Sequence, residues 1–159
     1  LADSRTIEHL GPLLCDSDRK LRLVADDAIR AIAARDGSAA QQQMLEQIVR
    51  ANECQHFERA IDLSTKLLET GSGIAEVYHQ RSLAFFQVDE IEYAIDDCRQ
   101  ALKLNPYHYA AMIGLGHCHL ELGDLLESLF WFRRSLDIYP DLEPVRIQVR
   151  RLEKTIQDL

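Results

Sequence analysis

The chain has 159 residues, with 26 Asp and Glu against 18 Lys and Arg and a formal charge of -8. Such acidity argues against broad binding to a nucleic-acid backbone, which requires a basic surface. A hydrophobic content of 47% is enough for a buried core. No stretch approaches the roughly 20 apolar residues of a spanning helix, so membrane insertion is not expected.

The first ten residues, LADSRTIEHL, have neither the basic start nor the apolar run of a signal peptide. They also begin without Met, so the chain reads as a fragment or a processed form. An intracellular setting, cytoplasmic or the interior of an organelle, is the expectation, with the compartment itself left open. Cys15, Cys54, Cys98 and Cys118 agree with it. No CxxC occurs, and their wide gaps favour reduced, buried thiols over a disulfide scaffold. Residues 1–40 read as two helices, roughly Ser4 to Cys15 and Arg19 to Arg35, joined across Asp16-Ser17-Asp18. Gly37-Ser38 is the expected junction, and Ala39 to Gln43 continue straight into the next helix.

From Gln41 onward the sequence repeats every 34 residues, in rows that start at Gln41, Ala75 and Tyr109. Position 20 of each row holds Ala60, Ala94 and Ser128; position 17 holds Phe57, Ile91 and Leu125. Each row should form two antiparallel helices. In the second row helix A spans about Ala75 to Val88 and helix B Ile91 to Leu104; in the third they span Tyr109 to Leu122 and Leu125 to Ile138. Ile91, Ala94, Ile95, Cys98, Ala101 and Leu102 form one apolar face, and the small Ala94 admits a close helix neighbour. Pro106 draws Asn105 out of helical geometry and ends the second row, as Pro140 ends the third. Gly123 supplies a turn and Asp124 an N-cap. A mid-helix Gly costs about 1 kcal/mol against Ala, so Gly116 marks a close packing point. The segment from Glu143 to Leu159 aligns Val145, Val149, Leu152 and Ile156 on one side, as a capping helix should. Its other side, with Arg146, Arg150, Arg151 and Lys154, reads as a solvated face.

On these residues the chain resembles the tetratricopeptide repeat (TPR) family. The matching residues are Tyr78, Ser82, Phe85, Ala94, Cys98, Ala101 and Pro106 in the second row. In the third they are Leu115, Gly116, Ser128, Phe132, Ser135 and Pro140. The first row is degenerate, with Gly71-Ser72-Gly73 in place of the Pro ending. The resemblance implies an all-α, right-handed helical-repeat solenoid, with TPR-like helix pairs at 41–74, 75–108 and 109–142 and a C-terminal capping helix at 143–159. Together these form one domain, 41–159. The leader, 1–40, resembles a HEAT-type helix pair through its Asp16-Ser17-Asp18 turn and through Arg22, which in that family pairs with turn or neighbouring acids. Either this pair packs on the first row, or further HEAT-like units precede it.

The TPR resemblance also implies a concave groove, lined by helix A, that receives an extended peptide or a partner helix. Its positions in the second row are Glu76, His79, Gln80, Leu83, Phe86 and Gln87. In the third row they are Ala110, Ile113, Gly114, His117, Leu120 and Glu121; in the first, Gln42, Leu45, Glu46, Val49, Asn52 and Glu53. Spacing alone makes His79-Leu83-Phe86 and Ile113-His117-Leu120 two stripes, part of which adjacent repeats would absorb. Chaperone-binding members of the family grip a C-terminal carboxylate with Lys, Arg and Asn on helix A. Here those positions hold His79, Leu83, Ile113, Gly114 and His117, so that clamp is missing. An apolar groove rimmed by Glu46, Glu53, Glu76 and Glu121 suits a neutral or basic protein or peptide partner. Self-association is a further expectation if the Leu1 end leaves apolar surface uncovered.

Residues that could carry chemistry do not converge. His117, Cys118 and His119 point about 100 degrees apart around a helix, so neither a metal site nor a cofactor is expected. Asp26-Asp27 and Asp96-Asp97 diverge in the same way, and Gly114-Leu115-Gly116 is not a phosphate loop. The expected role is a protein–protein interaction scaffold or adaptor rather than an enzyme. The alternatives are a regulatory or assembly module of a larger protein and, less favoured, an enzyme with a cysteine nucleophile. Arg81 stands where the family has Leu. If it points inward it needs an acidic partner, with Asp62, Asp96 and Asp97 as candidates.

Overall fold

The period of the sequence returns as a period of backbone geometry. The computed structural model describes residues 3–33 and 37–158. A leader of α1 (Asp3–Leu10), a 3-10 turn (Gly11–Cys15) and α2 (Arg19–Ala33) precedes the repeats. The first pair is α3 (Ala39–Glu53) with α4 (Phe57–Glu69), and the second is α5 (Ala75–Gln87) with α6 (Ile91–Leu104). The third is α7 (Tyr109–Glu121) with α8 (Leu125–Ile138), capped by α9 (Glu143–Gln157). Among the described residues there is no strand, and no helix is long and apolar enough to cross a membrane.

Every first helix of a pair ends the same way. Gln55, Asp89 and Gly123, all at position 15 of their rows, take φ of 60°, 64° and 76°. The next amide then reaches back five residues: His56 N–H to Ala51 O, Glu90 to Phe85 and Asp124 to His119, at 2.8–2.9 Å. These bonds satisfy carbonyls that a helix end would otherwise leave open. Only the third row uses Gly there, so the first two hold a side chain in a conformation that L-residues adopt at a cost. The second helix of the second and third pairs ends on an extended residue before proline, Asn105 at φ -137° and Tyr139 at φ -136°. The first row uses a left-handed Gly71 instead. At the start of α3, Ser38 and Gln41 form a reciprocal capping box, and the Asp124 carboxylate accepts from the amide of Glu127.

Packing follows the small residues. A Cβ added to Gly116 would lie 2.6 Å from the Phe132 ring, and the Ser128 hydroxyl donates to the Gly116 carbonyl at 2.7 Å. Ser82 and Ala94 occupy the equivalent crossing in the second pair and are buried there. On α9, Val145, Val149 and Leu152 are buried against Leu129 and Phe132, so this helix covers the end of the third pair.

The leader departs from the sequence expectation in two ways. Its first helix does not run to Cys15: it breaks at Gly11-Pro12, where proline offers no amide to the helix, and continues as a 3-10 turn. The expected ends at Arg35 and Leu159, and the Leu1 end invoked for self-association, lie outside the described residues. The leader also does not sit on the face of the first row. It lies as a strap along the inter-repeat junctions, in reverse chain order. Arg22 grips Asp141 with two bonds of 3.0 and 2.9 Å, Arg30 and Asp26 both bond the Tyr109 hydroxyl, and Gly37 meets Ile74. Arg22 also donates to the carbonyls of Asp16 and Ser17, holding its own turn. The reason for this placement is aromatic. Leu14, Ala25 and Ile29 are buried with Tyr139, beside Tyr107 and Tyr109, rings that stand at the junction of the second and third rows and at the end of the third.

Gly11 is the tightest point of this contact, since a Cβ there would fall 2.4 Å from the Tyr107 ring. Gly11→Ala is therefore expected to loosen the strap at a cost of about 1–3 kcal/mol. Hydrogen exchange checks it: the amides of Ala25 and Ile29 should exchange faster while α5–α8 keep their protection. Equal protection of the leader in both proteins would contradict the assignment.

Candidate functional site

Helix α5 carries both unusual charged groups of the array. On its inner side Arg81 makes a two-bond pair with Asp97, Nε and Nη2 donating to the two carboxylate oxygens at 2.7 and 2.8 Å. A third bond goes from Nη1 to the Thr65 hydroxyl at 3.0 Å. Asp97, of the three candidate partners, is thus the one selected: it is buried while its neighbour Asp96 faces solvent. Burial pushes the Asp97 pKa up against the pull of Arg81, while the hydrogen bonds from Arg81 to Asp97 raise that of the guanidinium. The pair ties α5 to α6, and the bond to Thr65 ties it to α4.

On the outer side, at the start of α5, Glu76 is held by three side chains. Gln80 Nε2 donates to its Oε1 at 2.7 Å, His108 Nε2 lies 3.1 Å from Oε2, and His79 Nδ1 lies 3.4 Å from Oε1. Burial works to raise the Glu76 pKa, but the bonds from His108 and His79 outweigh it and hold the carboxyl well below the usual range. Folding therefore favours the charged form. Its contribution to stability is present above the unfolded value, near 4.5, and is lost as pH falls from there towards the lower folded value. Glu76→Gln is expected to flatten the acid limb of the stability–pH curve below about pH 4.5. Denaturant midpoints between pH 2.5 and 7 measure this, and an unchanged acid limb would contradict it.

Glu76, His79 and His108 each offer a ligand atom within 4.8 Å of the others, the only such set among the described residues. Spacing within one helix does not show it, because His108 lies at the far end of the same row, 32 positions from Glu76 and beyond α5. The hydrogen bonds oppose a metal there. His108 caps α7 by accepting the Ala111 amide on Nδ1 at 3.2 Å, which places its proton on Nε2, facing Glu76. A metal at Nε2 would need that proton moved and the cap broken. His117, Cys118 and His119 diverge: His117 is exposed, Cys118 buried and His119 half-buried.

Beside Glu76 lies a cavity of about 90 Å³ between the strap and the start of α7, lined among others by Asp26, Arg30, Tyr107, His108, Tyr109 and Ala110. Burial, with Asp26 nearby, pushes the Tyr109 hydroxyl up to about 12.

The predicted groove residues are sorted by the packing. Leu83, Gln87, His117 and Glu121 are exposed, with Leu83 at 40%. Glu76, Gln80 and Phe86 are half-buried, and Gln80 is tied to Asn52 of the preceding row at 2.9 Å. Ile113 and Leu120 pack into the cluster under α9, and His79 lies buried beneath the surface. His117 sits edge-on to Phe132 at 5.0 Å and to Phe86 at 6.5 Å; partial burial lowers its pKa. In the first row Gln42, Leu45, Glu46, Val49 and Glu53 line an open concavity of about 400 Å³. The expectation of four buried thiols holds for two. Burial pushes Cys98 up to about 12 and Cys118 to about 11, whereas Cys15 and Cys54 are exposed.

Comparison with known proteins agrees with this architecture. The tetratricopeptide repeat family matches residues 75–108 and 109–142. Heat shock protein STI1 of Saccharomyces cerevisiae is 30% identical over 83 residues, which are 52% of this chain and 14% of that protein. Tetratricopeptide repeat protein 33 of Mus musculus is 27% identical over 99 residues, 62% of this chain and 38% of that one. The chain thus spans well under half the length of these relatives. Among solved structures, the first TPR of Spaghetti (RPAP3) bound to the HSP90 peptide SRMEEVD superposes with a TM-score of 0.71 at 21% identity. The match covers 76% of this chain and 96% of that one. The Arabidopsis OM64 TPR domain gives 0.69 at 23% identity, covering 72% and 95%.

Proposed function

Because residues 75–142 are two tetratricopeptide repeats within a helical-repeat solenoid, we propose that the chain is a protein–protein interaction scaffold or adaptor whose concave face receives a helix or an extended peptide. The observation that carries this reading is the surface that remains after the repeats pack. Leu83 and His117, with the edge of Phe86 between them, stay accessible on α5 and α7. Leu45 and Val49 extend an apolar floor into the first-row concavity. One structural neighbour is solved with an HSP90 peptide, a precedent for a peptide ligand on this fold. Its acidic chemistry does not transfer, because the helix A positions that would clamp a carboxylate hold His79, Leu83, Ile113, Gly114 and His117. With a formal charge of -3 on each of the second and third rows, the partner segment is neutral or basic.

A peptide library displayed on phage and selected against the folded protein supplies the test. Leu83→Asp and Phe86→Ala should each weaken a selected peptide at least tenfold without lowering the melting temperature by more than a few degrees. Because Phe86 is half-buried, Leu83→Asp decides if the second variant melts early. Unchanged affinity in folded Leu83→Asp would sink the groove assignment. Burial holds His117 below the ordinary histidine range, so a response of binding to pH should centre below about 6.5.

A further inference from the structure

The cavity beside Glu76 is lined by two of the expected groove positions, Glu76 and Ala110. Its walls come from parts of the chain that meet only in the folded state: α2 on one side, the junction from Asn105 to Tyr109 on the other, and the start of α5 and α7 below. Two carboxylates line it, Asp26 at 13% and Glu76 at 30% side-chain exposure. Three ring side chains, Tyr107, His108 and Tyr109, complete the wall. The one cation there is already committed: Arg30 donates through Nε to Asp26 at 2.9 Å and through Nη2 to the Tyr109 hydroxyl. That pairing leaves the net negative charge of the lining on Glu76. Each Glu76 oxygen has bonds from one or two side chains, and a carboxylate accepts about four, so a further donor can be received.

We propose that this cavity is a subsite for the cationic head of a Lys or Arg side chain, projected from a segment lying in the groove. Acid and aromatic walls around a space of about 90 Å³ recognise a cation by charge and by ring contact together. Ala110, a groove position like Glu76, lines the cavity, which is where the side chain of a groove-bound segment would enter. The inference rests on the groove reading for the source of the side chain, and it names the chemistry that makes the partner basic. It also gives the strap a role: without α2 the subsite loses Asp26 and one wall.

The test is an NMR titration of the full chain with N-acetyl-arginine amide and N-acetyl-lysine amide, against the uncharged isostere N-acetyl-citrulline amide. Saturable shifts of the Tyr107 to Ala110 amides are expected for both cationic probes, with binding at least fivefold weaker for citrulline. Ala110→Leu, which fills the cavity without touching its charges, should abolish them, and Glu76→Gln should weaken them about tenfold. If Ala110→Leu does not fold, Glu76→Gln decides. Citrulline binding as well as arginine, or shifts that survive both variants, would overturn the subsite. The groove reading fails separately. A selected peptide that weakens with Leu83→Asp but not with Ala110→Leu defeats the cavity alone. Probe binding that persists while no selected peptide responds to Leu83→Asp defeats the groove alone.

Discussion

Phe132→Ala is expected to destabilise the protein by about 3–5 kcal/mol, the usual range for removing a fully buried Phe. The ring has no exposed surface. It fills the space that Gly116 leaves open on α7, meets His117 edge-on, and on its other side packs with Val145, Val149 and Leu152 of α9. One side chain therefore joins three helices. Repeat arrays hold together through nearest-neighbour contacts, so the loss should be local. The cap and third pair should unfold first, giving a broader urea transition with a lower midpoint. Circular dichroism with residue-resolved hydrogen exchange would show α7–α9 losing protection before α3–α6. Against a typical domain stability of about 5–15 kcal/mol, such a loss is easily measured. A change below about 1 kcal/mol would mean that the cavity closes by rearrangement, contrary to the packing described.

Arg81→Leu should cost a comparable amount, about 3–5 kcal/mol, although it restores the residue usual in the family. The penalty comes from what remains. Asp97, whose side chain is 6% exposed, would keep its burial and lose its two-bond partner. Burial already raises its pKa, and without the guanidinium nothing on that side opposes it. A carboxyl raised in the folded state favours folding while protonated, so the defect in the variant should shrink as pH falls and grow towards neutrality. Adding Asp97→Leu should recover most of the loss, because an apolar pair in place of a buried ion pair is often close to neutral. Binding to a groove peptide should be unchanged in the folded variant. Collapsed affinity with an unchanged melting temperature would place Arg81 in the binding site instead.

The groove shows where sequence reading reached its limit. Spacing put His79, Leu83 and Phe86 on one stripe, and the structure keeps them on one side of α5. It exposes Leu83, half-buries Phe86 and covers His79. Ile113 and Leu120 share a stripe with His117, yet both are drawn under α9. Periodicity assigns a direction around a helix axis, but the amount of that direction left open depends on the next helix. The cluster of Glu76, His79 and His108 has a signal only in the stacking of rows, not in the spacing along one helix. Neighbouring rows are offset by 34 residues, so Glu76 near the start of one row and His108 at the end of that row come together as α5 and α7 stack. The left-handed residues at Gln55 and Asp89 carried less: only Gly123 has the composition that announces such a turn.

What the sequence alone determined is the array: three helix pairs, their junctions and the cap. Those features rest on local causes, proline ending a helix, small residues at crossings, Asp124 as a cap, repeated at a fixed interval until chance could not explain them. What only the tertiary structure decided is everything that joins distant segments. Arg22 holds Asp141 across 119 positions and Tyr109 reaches Asp26 across 83, and those contacts turn the leader into a strap. No local pattern encodes them, because the energy of an ion pair or a buried ring depends on which surfaces meet in space. The charge of -8 argued at the outset against broad binding to a nucleic-acid backbone. Only the folded chain brings Glu76 and the Arg30-paired Asp26, far apart in sequence, to the wall of one cavity.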